Sequence, residues 1–484
     1  NIGVLMPLIL GTNSIKDTGY DVANSVRLNR GDSPYFQRTP SSASNRRTWT
    51  WSGWVKRSGL GNIQTLFNGS DGGYPEIFYF AADDTFIYQH DISGSDYKLI
   101  SSQVFRDVSA WYHIVVAKDT TQSTETNRLK IYVNGSQITM AESALGYPPE
   151  DYEGAININD VHIVGNWKTN SYYIDGYLAE VAFVDGSQLD ATSFGEFDED
   201  SPTIWKPKDV SDLTFGTNGF YLDFEDSSAL GNDVSGNNND YTPNNLAATD
   251  QSTDTCTNNF ATLNSLFRSR FLNNGVLSEG NLKLVTGPTD GDKCLFLTTQ
   301  GVTQGKWYWE IKDVGGGRAM IGVGYDSISS FSDFFGENSP SNGFAVYALN
   351  GNLYYDNTNT SYGSATSAND IIMVALDMDN HLCWFGKNGT WFDSATQSEI
   401  ENSTSTNDAT TQMGTQQNLN SGEPVFPLVA DSTSLGDIEL LPNFGSPAFS
   451  ISSGNADGNG YGNFEYSVPS NYYSINTKNL AEFG

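Results

Sequence analysis

Short runs of alternating or aromatic-rich residues recur along this 484-residue chain, and Gly, Asn or Asp bounds most of them. Helical periodicity is nearly absent. Asn134-Gly135 follows LKIYV and Asn388-Gly389 follows HLCWFGK, and Asn-Gly supplies the two positive φ angles of a type I′ hairpin turn. Because each dipeptide lies deep inside its own half of the chain, the pattern predicts an all-β protein of two antiparallel, jelly-roll-like β-sandwiches.

Polar stretches divide the chain. Residues 225–265 hold few aliphatic side chains and many Asn, Asp, Ser and Thr, which is typical of a linker. We therefore expect an arm at 1–24, a sandwich at 25–248, a linker at 249–270 with few buried contacts, a second sandwich at 271–450 and a tail at 451–484. A second polar stretch, 393–424, is longer than ordinary loops and predicts either a disordered tip or an element ordered by a partner.

The charge balance excludes one class of partner. The chain has 57 acidic and 25 basic residues, a net charge of −32, whereas binding to nucleic acid requires a basic face. The apolar run at 4–10 (VLMPLIL) is shorter than a membrane span and has no basic residue before Lys16. It indicates neither a signal peptide nor membrane insertion, and it predicts an arm that docks on its own domain or on a neighbour.

The three cysteines are Cys256, Cys294 and Cys383, far apart and without a C-x-x-C spacing. This number and spacing argue against a disulfide framework and against a zinc site. Assembly in a reducing cytoplasm is therefore favoured over secretion.

Catalytic patterns are missing from the sequence. Glucanases on a sandwich fold carry carboxylates at alternate positions of one strand, as E-x-D-x-E, and no such triplet occurs here. The nearest groups, Glu196 to Asp200 and Asp223 with Glu225, are better explained as turn residues. No partner spacing supports a catalytic or metal-binding role for the histidines, which we interpret as hydrogen-bonded sheet residues: His90, His113, His162 and His381. We therefore predict no catalytic residue.

The polar stretch after residue 222 offers oxygen donors for calcium, namely Asp223, Asp226, Asp233 and Asp240. Calcium takes six to eight oxygen ligands in flexible geometry. The spacing does not match an EF-hand, and Asp and Asn are also common turn residues. The segment therefore predicts turns in the first place and a calcium site as the alternative.

Aromatic residues crowd a polar segment between two predicted strands, NWKTNSYYIDG, which contains Trp167, Asn170, Tyr172 and Tyr173. Flat rings on a loop can stack on sugar faces, and Asn170 could bond sugar hydroxyls. Core packing or a subunit contact is the favoured alternative for these rings. Trp167, Tyr172, Tyr173 and Asn170 are the candidate glycan-binding residues.

The first half resembles the laminin-G-like group of the concanavalin A-like lectin/glucanase superfamily. The segments that carry this resemblance occur in family order: TWTWSGWVK (48–56), WYHIVVAKD (111–119), LKIYVNG (129–135), HIVGN (162–166) and DGYLAEVAFVDG (175–186). The second half resembles a SPRY domain in GKWYWEIK (305–312), AMIGVGY (319–325), GFAVYALNGNLYY (343–355), IIMVALDMDNHLCWFGKNGTWF (371–392) and FPLVAD (426–431). These resemblances imply two sandwiches, the second of which binds partners through its loops without catalysis.

The combination of segments resembles structural proteins of tailed phages, especially marine ones. It comprises MPLILGTNSI, a first domain ending in NGFYLDFEDSS, a bridge with TNNFATLN, and a tail with PSNYYSINTKNL. The resemblance implies a non-enzymatic virion protein assembled in the host cytoplasm, as a tail fibre, adhesin or capsid decoration. It implies other virion proteins and a host-surface glycan as partners, and a homo-oligomer, with a trimer expected by analogy to fibres. A glycan depolymerase and a bacterial cell-surface lectin are the alternatives.

Overall fold

The computed structural model describes residues 14–167, 172–267, 274–287, 294–328, 342–414, 419, 422–431 and 437–484. Strand accounts for 40% of the chain and helix for 7%, so the predicted all-β class is confirmed. Two compact units are present: Thr18–Thr257, and Asn258–Gly484 together with Asn1–Asp17. The predicted arm segment at 4–10 lies outside the described residues.

The strands of the first unit run in chain order from β1 to β18. They are β1 (Ser25–Leu28), β2 (Tyr35–Arg38), β3 (Thr48–Arg57), β4 (Gln64–Asp71), β5 (Tyr74–Phe80), β6 (Thr85–Ile92), β7 (Ser95–Val104), β8 (Trp111–Asp119), β9 (Leu129–Val133), β10 (Ser136–Gln137), β11 (Met140–Ala144), β12 (His162–Val164), β13 (Gly176–Asp185), β14 (Gly195–Phe197), β15 (Trp205–Pro207), β16 (Phe220–Leu222), β17 (Thr242–Asn244) and β18 (Gln251–Ser252).

Two antiparallel sheets form the sandwich of this unit. The first sheet has the order β10-β9-β8-β3-β13-β1-β18, with β16 paired to β13, and the second sheet has the order β11-β7-β6-β5-β4-β12-β2-β17. Alternation along the strands directs every second side chain between the sheets. The largest side chains of that core are aromatic and fully buried: Trp49, Trp51, Phe36, Phe78 and Tyr88.

The second unit is another sandwich. Its strands are β19 (Val276–Ser278), β20 (Lys283–Val285), β21 (Cys294–Leu297), β22 (Lys306–Asp313), β23 (Ala319–Tyr325), β24 (Gly343–Tyr347), β25 (Leu353–Tyr355), β26 (Thr358–Thr360), β27 (Asp370–Asp377), β28 (Leu382–Lys387), β29 (Thr390–Trp391), β30 (Val425–Asp431) and β31 (Glu439–Asn443). One sheet has the order β19-β20-β31-β22-β27-β28-β29 and the other β21-β30-β23-β24-β25-β26.

The described residues include three short α-helices: α1 (Gln397–Glu401), α2 (Ala409–Gln412) and α3 (Thr477–Phe483). Among the described residues, no helix combines the length and the apolar character that crossing a membrane would require.

The predicted linker at 249–270 does not make few buried contacts, so that expectation is wrong. Within the first unit, Asp254 is buried and lies 2.6 Å from Nζ of Lys56, and its second carboxylate oxygen accepts a hydrogen bond from Nε1 of Trp111. Within the second unit, Phe260 and Leu263 are buried. A polar segment can be packed in this way when its polar groups are paired, which composition does not reveal.

The polar stretch at 393–424 was predicted to be a disordered tip or an element ordered by a partner. Its described residues instead contain two capped helices. Thr396 caps α1 and Asp408 caps α2, each by accepting a hydrogen bond from a backbone N–H of the first turn. The few apolar residues of the stretch are buried in their own unit, namely Ile400, Ala409, Met413 and Leu419. The described part of the stretch, residues 393–414, 419 and 422–424, therefore packs on its own unit.

The C-terminal segment, residues 451–484, covers a sheet rather than forming a free tail. Phe464 and Tyr472 are buried against Tyr308, Trp384 and Trp391 on the outer face of the β22-β27-β28 sheet. This cluster is distinct from the core between the two sheets. Trp307 and Trp309, the neighbours of Tyr308 along β22, belong to that core, because successive side chains of a strand point to opposite faces. The segment therefore belongs to the folded second unit.

Candidate functional site

The structure brings together two of the four candidate glycan-binding residues. The rings of Trp167 and Tyr172 lie 5.7 Å apart between centroids, tilted by 56°, and both side chains are half-buried. Tyr173 instead contacts Tyr35, at 6.4 Å between ring centroids. Asn170 lies outside the described residues.

The outer face of the second sheet supports this aromatic pair. Trp167 packs against a buried cluster of Ile77, Tyr79 and Ile87, which project from β5 and β6 away from the sandwich core. The backbone N–H of Thr65 in β4 donates a hydrogen bond to the carbonyl oxygen of Tyr172. The pair is therefore attached to the sheet by both side-chain packing and a backbone hydrogen bond.

Hydrogen bonds orient polar groups around Tyr79, which belongs to the cluster that Trp167 packs against. The Tyr79 hydroxyl donates a hydrogen bond of 3.0 Å to Oε1 of Gln89, and Nε2 of Gln89 donates one of 2.9 Å to Asp96. Burial raises the pKa of Tyr79 to about 12, with Asp96 and Tyr172 acting in the same direction, so the phenol is neutral at pH 7. We call Trp167, Tyr172, Tyr79, Gln89 and Asp96 the aromatic platform.

The predicted calcium ligands are used as turn residues. Oδ1 of Asp233 accepts hydrogen bonds from the N–H groups of Tyr221 and Ser235, and Oδ2 accepts one from the N–H of Asn239. Asp240 accepts from the N–H of Asp233, and Asp226 accepts from the N–H and hydroxyl of Ser228.

Asp233 accepts three backbone hydrogen bonds, which leaves few of its lone pairs for a cation. Within the described part of the chain, no three Asp, Glu, His or Cys side chains converge in a geometry that could hold a metal ion. The structure therefore favours the turn alternative for Asp223, Asp226, Asp233 and Asp240, and calcium binding there stays a prediction.

The carboxylates considered for catalysis also lie in turns. Oδ1 of Asp223 accepts a hydrogen bond from the N–H of Glu225 directly after β16. Asp198 accepts from the N–H groups of Asp200 and Ser201 and lies 3.2 Å from Nζ of Lys206. In neither case do alternate strand positions present two carboxylates to one cleft, which is the arrangement that glycoside hydrolysis requires.

His113 and His162 are hydrogen-bonded at both ring nitrogens, as predicted for sheet residues. The prediction is wrong for His90 and His381, because Nδ1 of each has no hydrogen-bond partner among the described residues. Nε1 of Trp205 donates to Nδ1 of His113, so the proton of His113 resides on Nε2 and faces Ser52. Nε2 of His162 accepts from the N–H of Asn157. Burial lowers the pKa of His113 to about 3 and that of His162 to about 4, so both rings are neutral at pH 7.

Comparison of the sequence with protein-family models agrees with the two-sandwich fold. Residues 30–191 match the model of the concanavalin A-like lectin/glucanases superfamily, and residues 306–430 match the model of the SPRY domain. The chain carries a concanavalin A-like domain and a SPRY domain. No curated protein matches the sequence.

Two solved structures are similar to parts of the chain. The SPRY domain of human HERC1 is 20% identical, with a TM-score of 0.26, and the match covers 35% of this chain and 91% of that chain. The native heptameric SAP-like pentraxin from Limulus polyphemus is 13% identical, with a TM-score of 0.25, covering 35% of this chain and 80% of that chain.

Sequence reasoning missed one unusual carboxyl group in the concanavalin A-like domain. Glu180 lies at a β-bulge of β13 with φ of 51°, and its Oε2 accepts hydrogen bonds from the hydroxyls of Tyr221, at 2.6 Å, and Tyr20, at 3.2 Å. Burial raises the pKa of Glu180 to about 7. No local motif marks this residue, because both tyrosines come from remote segments.

Proposed function

We propose that this protein is a non-enzymatic surface component of a phage virion, a tail fibre, adhesin or capsid decoration, that binds a host-surface glycan. The observation that carries glycan binding is the contact of Trp167 with Tyr172 beside the oriented carboxamide of Gln89. The virion assignment is supported by the resemblance of the opening, bridge and C-terminal segments to structural proteins of tailed phages.

The aromatic platform offers a sugar two kinds of contact. The C–H face of a pyranose ring is apolar and packs against aromatic faces, while its hydroxyls need oriented donors and acceptors. Gln89 and Tyr79 provide such groups, and their mutual hydrogen bond fixes their orientation before the ligand arrives. The net charge of −32 repels polyanions, so we expect neutral glycans to bind in preference to acidic ones.

Glycan binding is tested with the full chain on an array of neutral and acidic polysaccharides. Trp167→Ala and Tyr172→Ala should each weaken binding about tenfold, since a stacked ring contributes about 1 kcal/mol beyond its buried area. Tyr132→Ala is the matched control, because Tyr132 is half-buried against the outside of the first sheet. Equal binding by all three variants and the wild type would overturn the platform assignment.

The proposal includes the absence of hydrolysis. Incubation of the protein with its bound glycan should release no reducing ends. Release that disappears in Asp223→Asn or Glu225→Gln would instead establish the depolymerase alternative.

The SPRY domain supports a second part of the proposal, contact with other virion proteins within a homo-oligomer for which a trimer is the first expectation. Deletion of residues 1–12 should leave both domains folded while abolishing assembly on the particle.

Antibodies against the chain should label purified particles and block adsorption to the host. A particle that assembles with the truncated chain would refute the role of the arm, and unlabelled particles would refute the virion location.

A further inference from the structure

A cavity of about 260 Å³ opens in the concanavalin A-like sandwich, and none of the aromatic platform residues lines it. Its walls come from the β4–β5 turn, the β6–β7 turn and residues 152–155, and Arg46 closes one side. The volume lies just below the range of about 300–1,000 Å³ typical of drug-sized ligands, so the cavity suits a smaller molecule.

His90 lines this cavity and is only 2% exposed. Its Nδ1 has no hydrogen-bond partner among the described residues, and the Tyr152 ring meets the imidazole edge-on at 5.3 Å. A buried polar nitrogen without a partner costs free energy. Nδ1 of His90 is enclosed in the cavity wall, so a ligand hydroxyl or amine recovers this free energy only when the imidazole turns toward the cavity. Burial lowers the pKa of His90 to about 4, so the ring adds no positive charge at pH 7.

The cationic side chain of the cavity is already engaged. Nη2 of Arg46 lies 2.7 Å from Asp71, Nη1 lies 3.7 Å from Glu153, and Nε donates to the carbonyl oxygen of Gly154. Asp91 adds a third carboxylate to the lining. The lining therefore carries three carboxylates against one guanidinium, and the net charge of −32 adds a long-range attraction for cations.

Two tyrosines complete the lining. Tyr74 is 42% exposed at the β4–β5 turn, and Tyr152 lies deeper, against His90. Aromatic faces near carboxylates attract organic cations through cation–π and Coulomb interactions together. An anionic ligand would be repelled by the carboxylates, and the one guanidinium that could attract it is already paired with Asp71 and Glu153.

We propose that this cavity binds a small organic ammonium ion that also carries hydroxyl groups, such as a protonated amino sugar. The ammonium group lies among the carboxylates and the tyrosine rings, and a hydroxyl pairs with His90. This site shares no residue with the aromatic platform, although Asp91 of the cavity pairs across β6 and β7 with Asp96 of the platform.

The test compares three sugars of similar size against the full chain carrying Trp167→Ala and Tyr172→Ala, which removes the platform rings. Ligand-observed NMR should show D-glucosamine binding with a Kd of about 1 mM, and D-glucose and D-glucuronate binding at least about tenfold more weakly. Glucosamine binding should also weaken with rising ionic strength.

Two variants and one control link binding to the cavity. Asp91→Asn keeps the acceptor for the N–H of Gly94 but removes a negative charge from the lining. Tyr152→Leu removes an aromatic ring. Each variant should weaken glucosamine binding at least about threefold. Glu125→Gln, an exposed carboxylate that is not part of the lining, should change nothing.

Unchanged melting temperatures establish that the variants are folded. Glucose or glucuronate binding as tightly as glucosamine, absence of glucosamine binding at about 10 mM, or wild-type affinity in both Asp91→Asn and Tyr152→Leu would overturn the proposal.

Discussion

Glu76 and Lys118 form an ion pair that joins the two sheets of the concanavalin A-like domain, with 2.5 Å between Oε1 and Nζ and both side chains fully buried. Glu76 also accepts hydrogen bonds from the Tyr88 hydroxyl and the N–H of Ile156. Burial alone would raise the pKa of Glu76, but Lys118, His90 and the hydrogen bond from the Tyr88 hydroxyl lower it to about 2. Such a pair is costly to break, since either charge left alone is deeply buried.

Lys118→Met should therefore destabilise the concanavalin A-like domain by about 3–5 kcal/mol. Hydrogen exchange of β5 and β8 amides in the full chain measures the loss. The double variant Lys118→Met with Glu76→Gln should recover part of it, because no uncompensated charge remains. Lys208→Met, which removes a half-exposed ion pair with Glu196, should leave the same amides nearly unchanged.

Glu180→Gln should become progressively more stable than the wild type as the pH rises from about 4.5 to about 7, by up to about 3 kcal/mol. In that interval the folded wild type keeps its Glu180 proton, while the unfolded chain releases it, so rising pH favours unfolding. Unfolding free energies at pH 5 and pH 7.5 measure the effect. Glu225→Gln, at an exposed carboxylate, is the control, and a pH-independent difference for Glu180→Gln would contradict the assigned shift.

Gly135→Ala should destabilise the concanavalin A-like domain more than Gly94→Ala does. Both glycines have positive φ, 80° and 88°, so each substitution strains the backbone by about 1 kcal/mol. A Cβ on Gly135 would also lie 2.3 Å from the ring of Trp205, whereas one on Gly94 meets open space. The difference between the two melting temperatures isolates the packing cost, and equal values would show that the Trp205 contact is unimportant.

Glu310→Gln should loosen the C-terminal segment on the SPRY domain. Oε2 of Glu310 accepts a hydrogen bond from the N–H of Glu465, and Oε1 accepts bonds from the N–H of Tyr466 and the Tyr308 hydroxyl. An amide NH₂ in place of one oxygen faces a buried N–H, at a cost of about 1–3 kcal/mol. Faster hydrogen exchange at residues 465 and 466 is the expected result, with Glu439→Gln as the surface control.

Asp233→Ala should lower the melting temperature equally in EDTA and in millimolar calcium. The substitution removes acceptors for the N–H groups of Tyr221, Ser235 and Asn239, whether or not a cation is present. A rise in the melting temperature of the wild type on adding calcium, absent from Asp233→Ala, would instead establish the calcium site, because a ligand of the folded state stabilises it.

Local signals in the sequence predicted the sandwiches. Asn134-Gly135 and Asn388-Gly389 each join paired strands, β9 to β10 and β28 to β29, because the turn chemistry is set by adjacent residues. The proximity of Trp167 and Tyr172 could also be predicted, since both belong to one short polar segment. These features need no knowledge of distant parts of the chain.

Contacts between distant segments could not be predicted in this way. Ile400 and Tyr472 belong to stretches that composition assigns to a loop and a tail, yet both are buried on the SPRY sheet. His90 gives no local sign of the cavity around it, because Arg46 and Tyr152 approach from other segments. Polar segments pack when their donors and acceptors are paired, and that pairing exists only in three dimensions.

During synthesis, the SPRY sheet is made before the C-terminal segment that covers it. Tyr308 and Trp384 emerge from the ribosome long before Phe464 and Tyr472, which shield them. Until then, the nascent domain presents a bare aromatic face of the kind that chaperones bind and that aggregates form from. A chain that ends before Phe464 therefore leaves this aromatic face exposed to solvent.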